Sequence, residues 1–196
     1  YHCFLLNLQL LIAGVKMVRF RQLEFGDVYF KRELAELLDE DDFFLVRDGI
    51  YNGQSGGQTF LIVDLEEIGN KDCFHLDDYW FRWDSQTTQH LHSKKIQEII
   101  NAERQVHLFI RLVQKVEGQT QPFVYCGRLA YEVDAPEMIS RPINILFRSL
   151  DFYDTTSNEH LEAIYQWMLR KTGETPSYVI PKGVLSESLG APVGTQ

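Results

Sequence analysis

Cysteine is scarce in this chain of 196 residues, which contains only Cys3, Cys73 and Cys126. An odd number of cysteines without CxxC spacing argues against both a disulfide framework and a zinc knuckle. Reduced thiols in a cytoplasmic protein are the simpler interpretation. We therefore expect an apolar core, and not cross-links, to hold the fold together.

Long apolar segments are also missing. The only extended apolar run, residues 4–15, is interrupted by Asn7 and Gln9 and is too short to span a bilayer. It lacks the basic residues that begin a secretory signal. We predict no membrane partner and interpret residues 1–16 as an extension, with a first core strand or helix as the alternative.

Signatures of catalysis and of phosphate binding do not occur. The chain contains no GxxxxGK[ST], GxGxxG, GxSxG or HExxH pattern. His90 and His92 have the spacing of strand-borne metal ligands, but two histidines in a polar loop are the more ordinary interpretation. We predict no enzyme activity, no metal and no cofactor; a metal-dependent nuclease using Asp64, Glu66 and these histidines is the catalytic alternative.

Positive charge is in deficit, since the formal net charge is −9 and the pI is near 5.1. Nucleic-acid binding domains are usually basic because phosphate contacts dominate their affinity. The charge is unevenly distributed, however. Acidic residues crowd residues 33–42, whereas many basic residues lie between residues 94 and 148. A dipolar surface with one basic face is compatible with this pattern.

What the chain does have is the composition of a globular domain, 44% hydrophobic and 13% aromatic. We expect a single α+β domain over residues 17–171 and an extended C-terminal tail or linker over 172–196. Helical spacing of apolar residues predicts helices at 29–38, 95–102 and 158–170. β-Prone runs predict strands at 43–47, 59–65, 106–113, 123–133 and 142–150, the first two joined by a glycine-rich loop. The fold class is then a curved, mostly antiparallel sheet with two or three flanking helices.

The aromatic run at residues 79–83 precedes a polar patch that extends to residue 90. On a strand, Trp80 and Arg82 would share one face, while Tyr79, Phe81 and Trp83 would share the other. One face can be core and the other a platform for a flat, hydrogen-bonding ligand such as a base. The alternative is that all these aromatics fill the core.

Four motifs resemble an uncharacterised domain at the C-terminus of bacterial restriction-type helicases and in some HNH endonucleases. They are FRWDSQTT at residues 81–88, VHLFIR at 106–111, PFVYCGR at 122–128 and SRPINI at 140–145. The resemblance implies a role in defence against foreign DNA, a helicase or nuclease partner, and a partly open β-barrel of the kind found in PUA and SRA readers of modified DNA. Helicase and nuclease motifs are missing here, so the resemblance implies no catalytic residue.

The first functional hypothesis is a nucleic-acid recognition module, which reads modified or foreign DNA. In this hypothesis aromatic side chains stack on bases, polar side chains hydrogen-bond to base edges, and arginines contact phosphate. The stacking residues would be Tyr51 and Trp83, the edge readers Ser85, Gln86 and Asn144 with Thr88 beside them, and the phosphate contacts Arg82, Arg111 and Arg141. Arg141 pinning a loop to a carboxylate, and Arg111 in a surface salt-bridge row, are the structural alternatives.

The second hypothesis is a protein-interaction module that scaffolds a defence complex. It uses the acidic first helix and the C-terminal helix as docking surfaces. It predicts an exposed apolar patch around Ile164, Trp167 and Met168.

Overall fold

The structure is a computed structural model that describes part of the chain. The described residues are 23–47, 49–54, 57–66, 73–75, 80–85, 89–131, 143–151 and 158–168. The predicted extension at 1–16 and the predicted tail at 172–196 lie outside them, so these boundaries stay predictions. In the described part of the chain, no helix is both long enough and apolar enough to cross a bilayer.

Ten strands and three α-helices are described. The strands are β1 (Val28–Tyr29), β2 (Ile50–Asn52), β3 (Gln58–Asp64), β4 (Cys73–His75), β5 (Trp80–Asp84), β6 (Gln105–Arg111), β7 (Lys115–Val116), β8 (Gln119–Thr120), β9 (Phe123–Tyr131) and β10 (Asn144–Ser149). The helices are α1 (Lys31–Leu38), α2 (Lys94–Ile100) and α3 (Glu159–Met168), with a 3₁₀ helix at Asp41–Leu45.

The main sheet has the strand order β2-β3-β6-β9-β10-β5-β4, and β1 pairs with β9. All of these pairs are antiparallel except β3 with β6, which are parallel and are connected through β4, β5 and α2. The end strands β2 and β4 do not pair with each other in the described residues, so the sheet is open. The predicted α+β class, a mostly antiparallel sheet with three helices, is confirmed.

Two apolar cores lie on opposite faces of the sheet. The larger core holds Ile96 and Ile99 of α2 and Leu161 and Ile164 of α3 against one face. The smaller core lies between α1 and the other face, and it covers only the β2-β3-β6 half of that face and the start of β9. The remaining half of this second face, formed by β5, β10 and the end of β9, receives no helix from the described part of the chain.

The predicted strand at residues 43–47 is wrong, because this segment forms the 3₁₀ helix. The Phe43 N–H donates to the Glu40 carbonyl, and the Val46 N–H donates to the Phe43 carbonyl. Phe43 and Val46 point inward while Phe44 and Leu45 are exposed, which is a period of three and not the period of two of a half-buried strand. The true partner of β3 is β2, which lies inside the segment predicted as a loop.

Candidate functional site

Strand β5 separates its aromatic residues between the two faces of the sheet. Phe81 and Trp83 are buried in the larger core, at 0% and 3% exposure. Trp80, Arg82 and Asp84 are only partly buried and point to the half of the second face that no described helix covers. The predicted alternation is therefore observed. The aromatic residue on the solvent side is Trp80.

Strand β10 adds a second row to this surface. It pairs with β5 so that Arg148 lies opposite Trp80, Leu146 opposite Arg82 and Asn144 opposite Asp84. Residues directly opposite each other in an antiparallel pair point to the same side. The Asn144 side-chain amide donates a hydrogen bond to the Asp84 carboxylate, which ties the two strands together at this end.

A bulge in β9 brings Arg128 to the same surface. Tyr125 pairs with Phe109, and Arg128 pairs with His107. Two residues of β9, Cys126 and Gly127, therefore lie opposite one residue of β6, Leu108. Gly127 has φ +86°, the left-handed conformation in which a residue with a Cβ is strained. If the strand alternated strictly from Tyr125, without a bulge, Arg128 would point into the larger core. The bulge turns it outward.

Arg128 is held by Asp151, which follows β10. Its guanidinium donates to the Asp151 carboxylate at 2.6 and 2.9 Å, and its backbone N–H donates to the same group at 2.8 Å. Partial burial acts to raise the pKa of Asp151, but the hydrogen bonds and charge of Arg128 outweigh it and lower the pKa. The Arg128 side chain is still 49% exposed, so it faces solvent as well as its partner.

These three strands form one continuous surface, called here the open face. Its charge is more positive than that of the chain, since it has three arginines against Asp84 and Asp151 while the whole chain carries −9. The side chains of the open face are Trp80, Arg82, Asp84, Arg128, Ala130, Asn144, Leu146 and Arg148, and Asp151 lies beside Arg128.

Trp83 does not have its predicted role. Its indole is 3% exposed and lies in the larger core with Phe81 and Phe147. A buried ring cannot stack on a base, so the prediction for Trp83 is wrong. The tryptophan of β5 that faces solvent is Trp80. Ser85 is also buried, and its hydroxyl oxygen accepts a hydrogen bond from the Ile143 N–H at 3.0 Å. That bond fixes the start of β10 and leaves Ser85 facing the protein, not a ligand.

Arg111 is likewise part of the interior, at 6% exposure. Its guanidinium donates two hydrogen bonds to Asp64, at 2.5 and 2.7 Å, and lies 4.3 Å from the centre of the Phe123 ring. The predicted phosphate contact and the surface salt-bridge alternative are both wrong for this residue. Asp64, a proposed metal ligand of the nuclease alternative, is occupied by this ion pair.

Tyr51 lies on the second face of the sheet but in the half covered by α1. Its hydroxyl donates to the Glu40 carboxylate at 2.8 Å, and its ring packs edge-on against Phe43. Burial and then the hydrogen bond to Glu40 raise the pKa of Tyr51 to about 12. This tyrosine is therefore neutral and separate from the open face.

Of the nine predicted site residues, Arg82 and Asn144 lie on the open face. Gln86, Thr88 and Arg141 lie outside the described residues, and so do the side chains of Trp167 and Met168. Ile164 is fully buried, so it is not part of an exposed apolar patch. Within the described ranges, no three His, Cys, Asp or Glu side chains converge as a metal site would require.

Three residues of the open face were missed as site residues: Trp80, Arg128 and Arg148. The alternation of β5 carried a signal for Trp80, because it already grouped Trp80 with Arg82. Gly127 carried a signal for Arg128, since a glycine inside a strand pattern often marks a bulge. For Arg148, the exposed position follows from the pairing of β10 with β5, which the sequence alone does not specify.

Residues 58–147 match the model of a family described as Domain of unknown function (DUF3427). All four motifs noted in the sequence lie inside this region. A comparison with curated proteins finds no match.

Several solved structures are similar to this chain at low identity. The SRA domain of SUVH5, in complex with fully methylated CG DNA, is 17% identical, with a TM-score of 0.43 over 67% of this chain and 91% of that chain. The DNA recognition domain of the cytosine modification-dependent restriction endonuclease LpnPI is 10% identical, with a TM-score of 0.36 over 81% of this chain and 92% of that chain. SUVH6 from Arabidopsis thaliana, in complex with SAM, is 18% identical, with a TM-score of 0.44 over 71% of this chain and 28% of that chain. Similarities of this size assign no ligand.

Proposed function

We propose that this chain is a non-catalytic nucleic-acid recognition module and that the open face is its interface. The observation that carries the proposal is the position of Trp80 on the open face, directly opposite Arg148 and on the same strand face as Arg82. An indole can stack on a base, and arginine guanidinium groups form charge-assisted hydrogen bonds with phosphate oxygens. Asn144 adds a side-chain amide that can hydrogen-bond to a base edge.

The net charge of −9 is the main objection, and the distribution of charge answers it. The crowded acidic residues belong to α1 and the 3₁₀ helix, which pack over β3 and β6. β5 is three strands away from β6 and four strands away from β3, or about 14–19 Å at the usual spacing of neighbouring strands. At physiological salt the screening length is about 8 Å, so these acids weaken binding mainly at low salt.

DNA, including modified DNA, is the ligand that we propose to test first. The support for this choice is the resemblance of the four strand motifs to a domain of restriction-type proteins. In that context the module would guide a helicase or nuclease partner to foreign DNA in the bacterial cytoplasm. The chain itself would then supply recognition, and the partner would supply chemistry.

The proposal is tested by fluorescence anisotropy with labelled single-stranded and double-stranded oligonucleotides, with and without 5-methylcytosine, at two salt concentrations. Trp80→Ala should weaken binding by about 5- to 150-fold, because stacking contributes about 1–3 kcal/mol per base. Arg47→Gln, a change at an exposed arginine outside the open face, should leave the affinity unchanged. Absence of binding at low salt, or equal affinities of the wild type and Trp80→Ala, would contradict the proposal.

A second candidate function, protein interaction, is supported by one surface. Phe44 and Leu45 of the 3₁₀ helix are 55% and 56% exposed, next to exposed Asp41 and Asp42. Such a surface favours a partner with apolar and basic side chains. A partner that co-purifies with the wild type and is lost from the double variant Phe44→Ser/Leu45→Ser would favour this function.

A further inference from the structure

The three arginines of the open face lie on one diagonal of the sheet. Arg148 pairs with Ala130, which is two residues after Arg128 on β9. It also pairs with Trp80, which is two residues before Arg82 on β5. From β9 to β10 to β5, each arginine lies on the next strand and is displaced by two residues in the same direction along the sheet. Diagonal neighbours of this kind are about 7–8 Å apart, so the row extends over about 15 Å.

We propose that this diagonal arginine row binds the backbone of a single nucleic-acid strand, in preference to a duplex. The inference rests on the proposed function and adds the class of ligand. A single strand presents one line of phosphates at regular intervals, and a straight, evenly spaced row of three guanidinium groups is complementary to such a line. Each planar guanidinium can hold its phosphate through two parallel hydrogen bonds.

The position of Trp80 favours the single strand for an independent reason. Trp80 lies beside the row, opposite Arg148 on the next strand and two residues from Arg82 on its own strand. A strand that follows the row therefore brings the base between its second and third phosphates next to the indole. In a duplex the bases already stack on one another, so an indole on a sheet face meets no free base face.

The aspartates beside the row do not prevent phosphate binding. Arg128 is paired with Asp151, and Arg82 lies 3.7 Å from Asp84. The Arg82 side chain is 40% exposed and its 3.7 Å contact with Asp84 is long, so this pair contributes little to stability. The Arg128–Asp151 pair is bidentate, but the Arg128 side chain is 49% exposed and its guanidinium has N–H groups that these two bonds do not use. A phosphate can therefore replace the Asp84 carboxylate at Arg82 at little cost in free energy, whereas at Arg128 it binds beside Asp151. The affinity then comes from released counterions and from stacking on Trp80.

The salt dependence of binding measures the number of phosphates contacted. The assay is the anisotropy of labelled 12-mer oligo(dT), alone and as a duplex with oligo(dA), from low to physiological salt. Three contacts on a single strand predict a slope of log K against log salt of about −2. Arg82→Gln, Arg128→Gln and Arg148→Gln should each reduce that slope by about 0.7. Trp80→Ala should lower affinity without changing the slope, and Arg47→Gln should change neither.

A variant that moves one arginine distinguishes the effect of the alignment of the row from the effect of its total charge. The double variant Arg148→Leu/Leu146→Arg keeps the composition and net charge of the open face but moves the central arginine off the diagonal. It should bind the single strand about as weakly as Arg148→Gln does. Circular dichroism and urea unfolding establish that each variant is folded, and the three single glutamine variants test the row independently if the double variant does not fold.

The outcomes distinguish this inference from the proposed function. Wild-type affinity in the relocated variant overturns the aligned row. Tighter binding of the duplex than of the single strand overturns the strand preference, while dependence on Trp80 would still support the open face as a nucleic-acid interface. If neither oligonucleotide binds at low salt, the inference is wrong, and the proposed function is also wrong if the oligonucleotides with 5-methylcytosine fail to bind.

Discussion

Acidification should destabilise this protein through His107, a buried histidine on β6. The ring is 5% exposed and lies nearly parallel to the rings of Phe60 and Tyr125. Its Nε2 atom is 2.6 Å from the side-chain oxygen of Gln58, which can only accept a hydrogen bond. Nε2 therefore carries the proton, and Nδ1 accepts from the Tyr125 hydroxyl at 2.8 Å. The neutral ring satisfies both contacts, and burial disfavours the charged form.

Burial, and then the charge of Arg128, lower the pKa of His107 from 6.5 to about 4. Between these two pH values the unfolded chain binds a proton that the folded protein does not bind. The free energy of unfolding is therefore fully maintained above pH 6.5 and decreases as the pH falls toward 4. Because one unit of pKa corresponds to about 1.4 kcal/mol, the loss is about 3 kcal/mol over the whole window.

Urea unfolding between pH 7 and pH 4, followed by tryptophan fluorescence, measures this loss. In the variant His107→Gln the side chain keeps one donor and one acceptor but cannot titrate, so most of the pH dependence in this window should disappear. His160→Gln is the comparison variant: burial also lowers the pKa of His160, so this variant should remove a smaller part of the pH dependence. Burial raises the pKa of Glu33 above 4.5, which acts in the opposite direction and is present in all the variants. The lowered pKa of Asp151 acts below its ordinary value of 3.8, outside the window. A wild-type stability that stays constant from pH 7 to pH 4, or an unchanged slope in His107→Gln, would refute the reasoning.

Two further predictions concern residues that hold the sheet together. Arg111→Ala should lower the free energy of unfolding by about 3 kcal/mol, because it leaves the Asp64 carboxylate without its buried partner, and Arg111→Met/Asp64→Leu should recover part of that loss in urea unfolding. Gly127→Ala should lower the free energy of unfolding more than Gly118→Ala does in the same assay. Both glycines have positive φ, where a side chain costs about 1–3 kcal/mol. Only at Gly127 would the new Cβ also lie 2.8 Å from Asp151. Equal losses at the two glycines would contradict the close contact.

Much of the fold could be predicted from the sequence because local periodicity reports which positions are buried. The helical spacing within 29–38, 95–102 and 158–170 corresponds to α1, α2 and α3. The alternating runs that begin at Phe123 and Pro142 correspond to β9 and β10. The segment at 43–47 was not predicted correctly, since a short apolar run does not distinguish a strand from a turn of 3₁₀ helix.

The candidate site was predicted less well, and β5 gives the physical reason. Alternation groups Trp80 with Arg82 and Phe81 with Trp83, but it does not specify which group is covered. That choice depends on α2 and α3, whose residues are distant in sequence and pack against Phe81 and Trp83. Which residues lie on the open face thus depends on tertiary packing, and the local sequence pattern does not determine it.

The open face as a nucleic-acid interface is tested most directly by nuclear magnetic resonance. The measurement follows the indole N–H signals of the ¹⁵N-labelled chain during titration with unlabelled oligo(dT), with signals assigned from Trp80→Phe and Trp83→Phe variants. We predict that the Trp80 signal shifts progressively with oligonucleotide concentration, because its ring lies on the open face, and that the buried Trp83 signal stays in place. Binding that leaves the Trp80 signal unchanged would contradict the assignment of the open face as the interface.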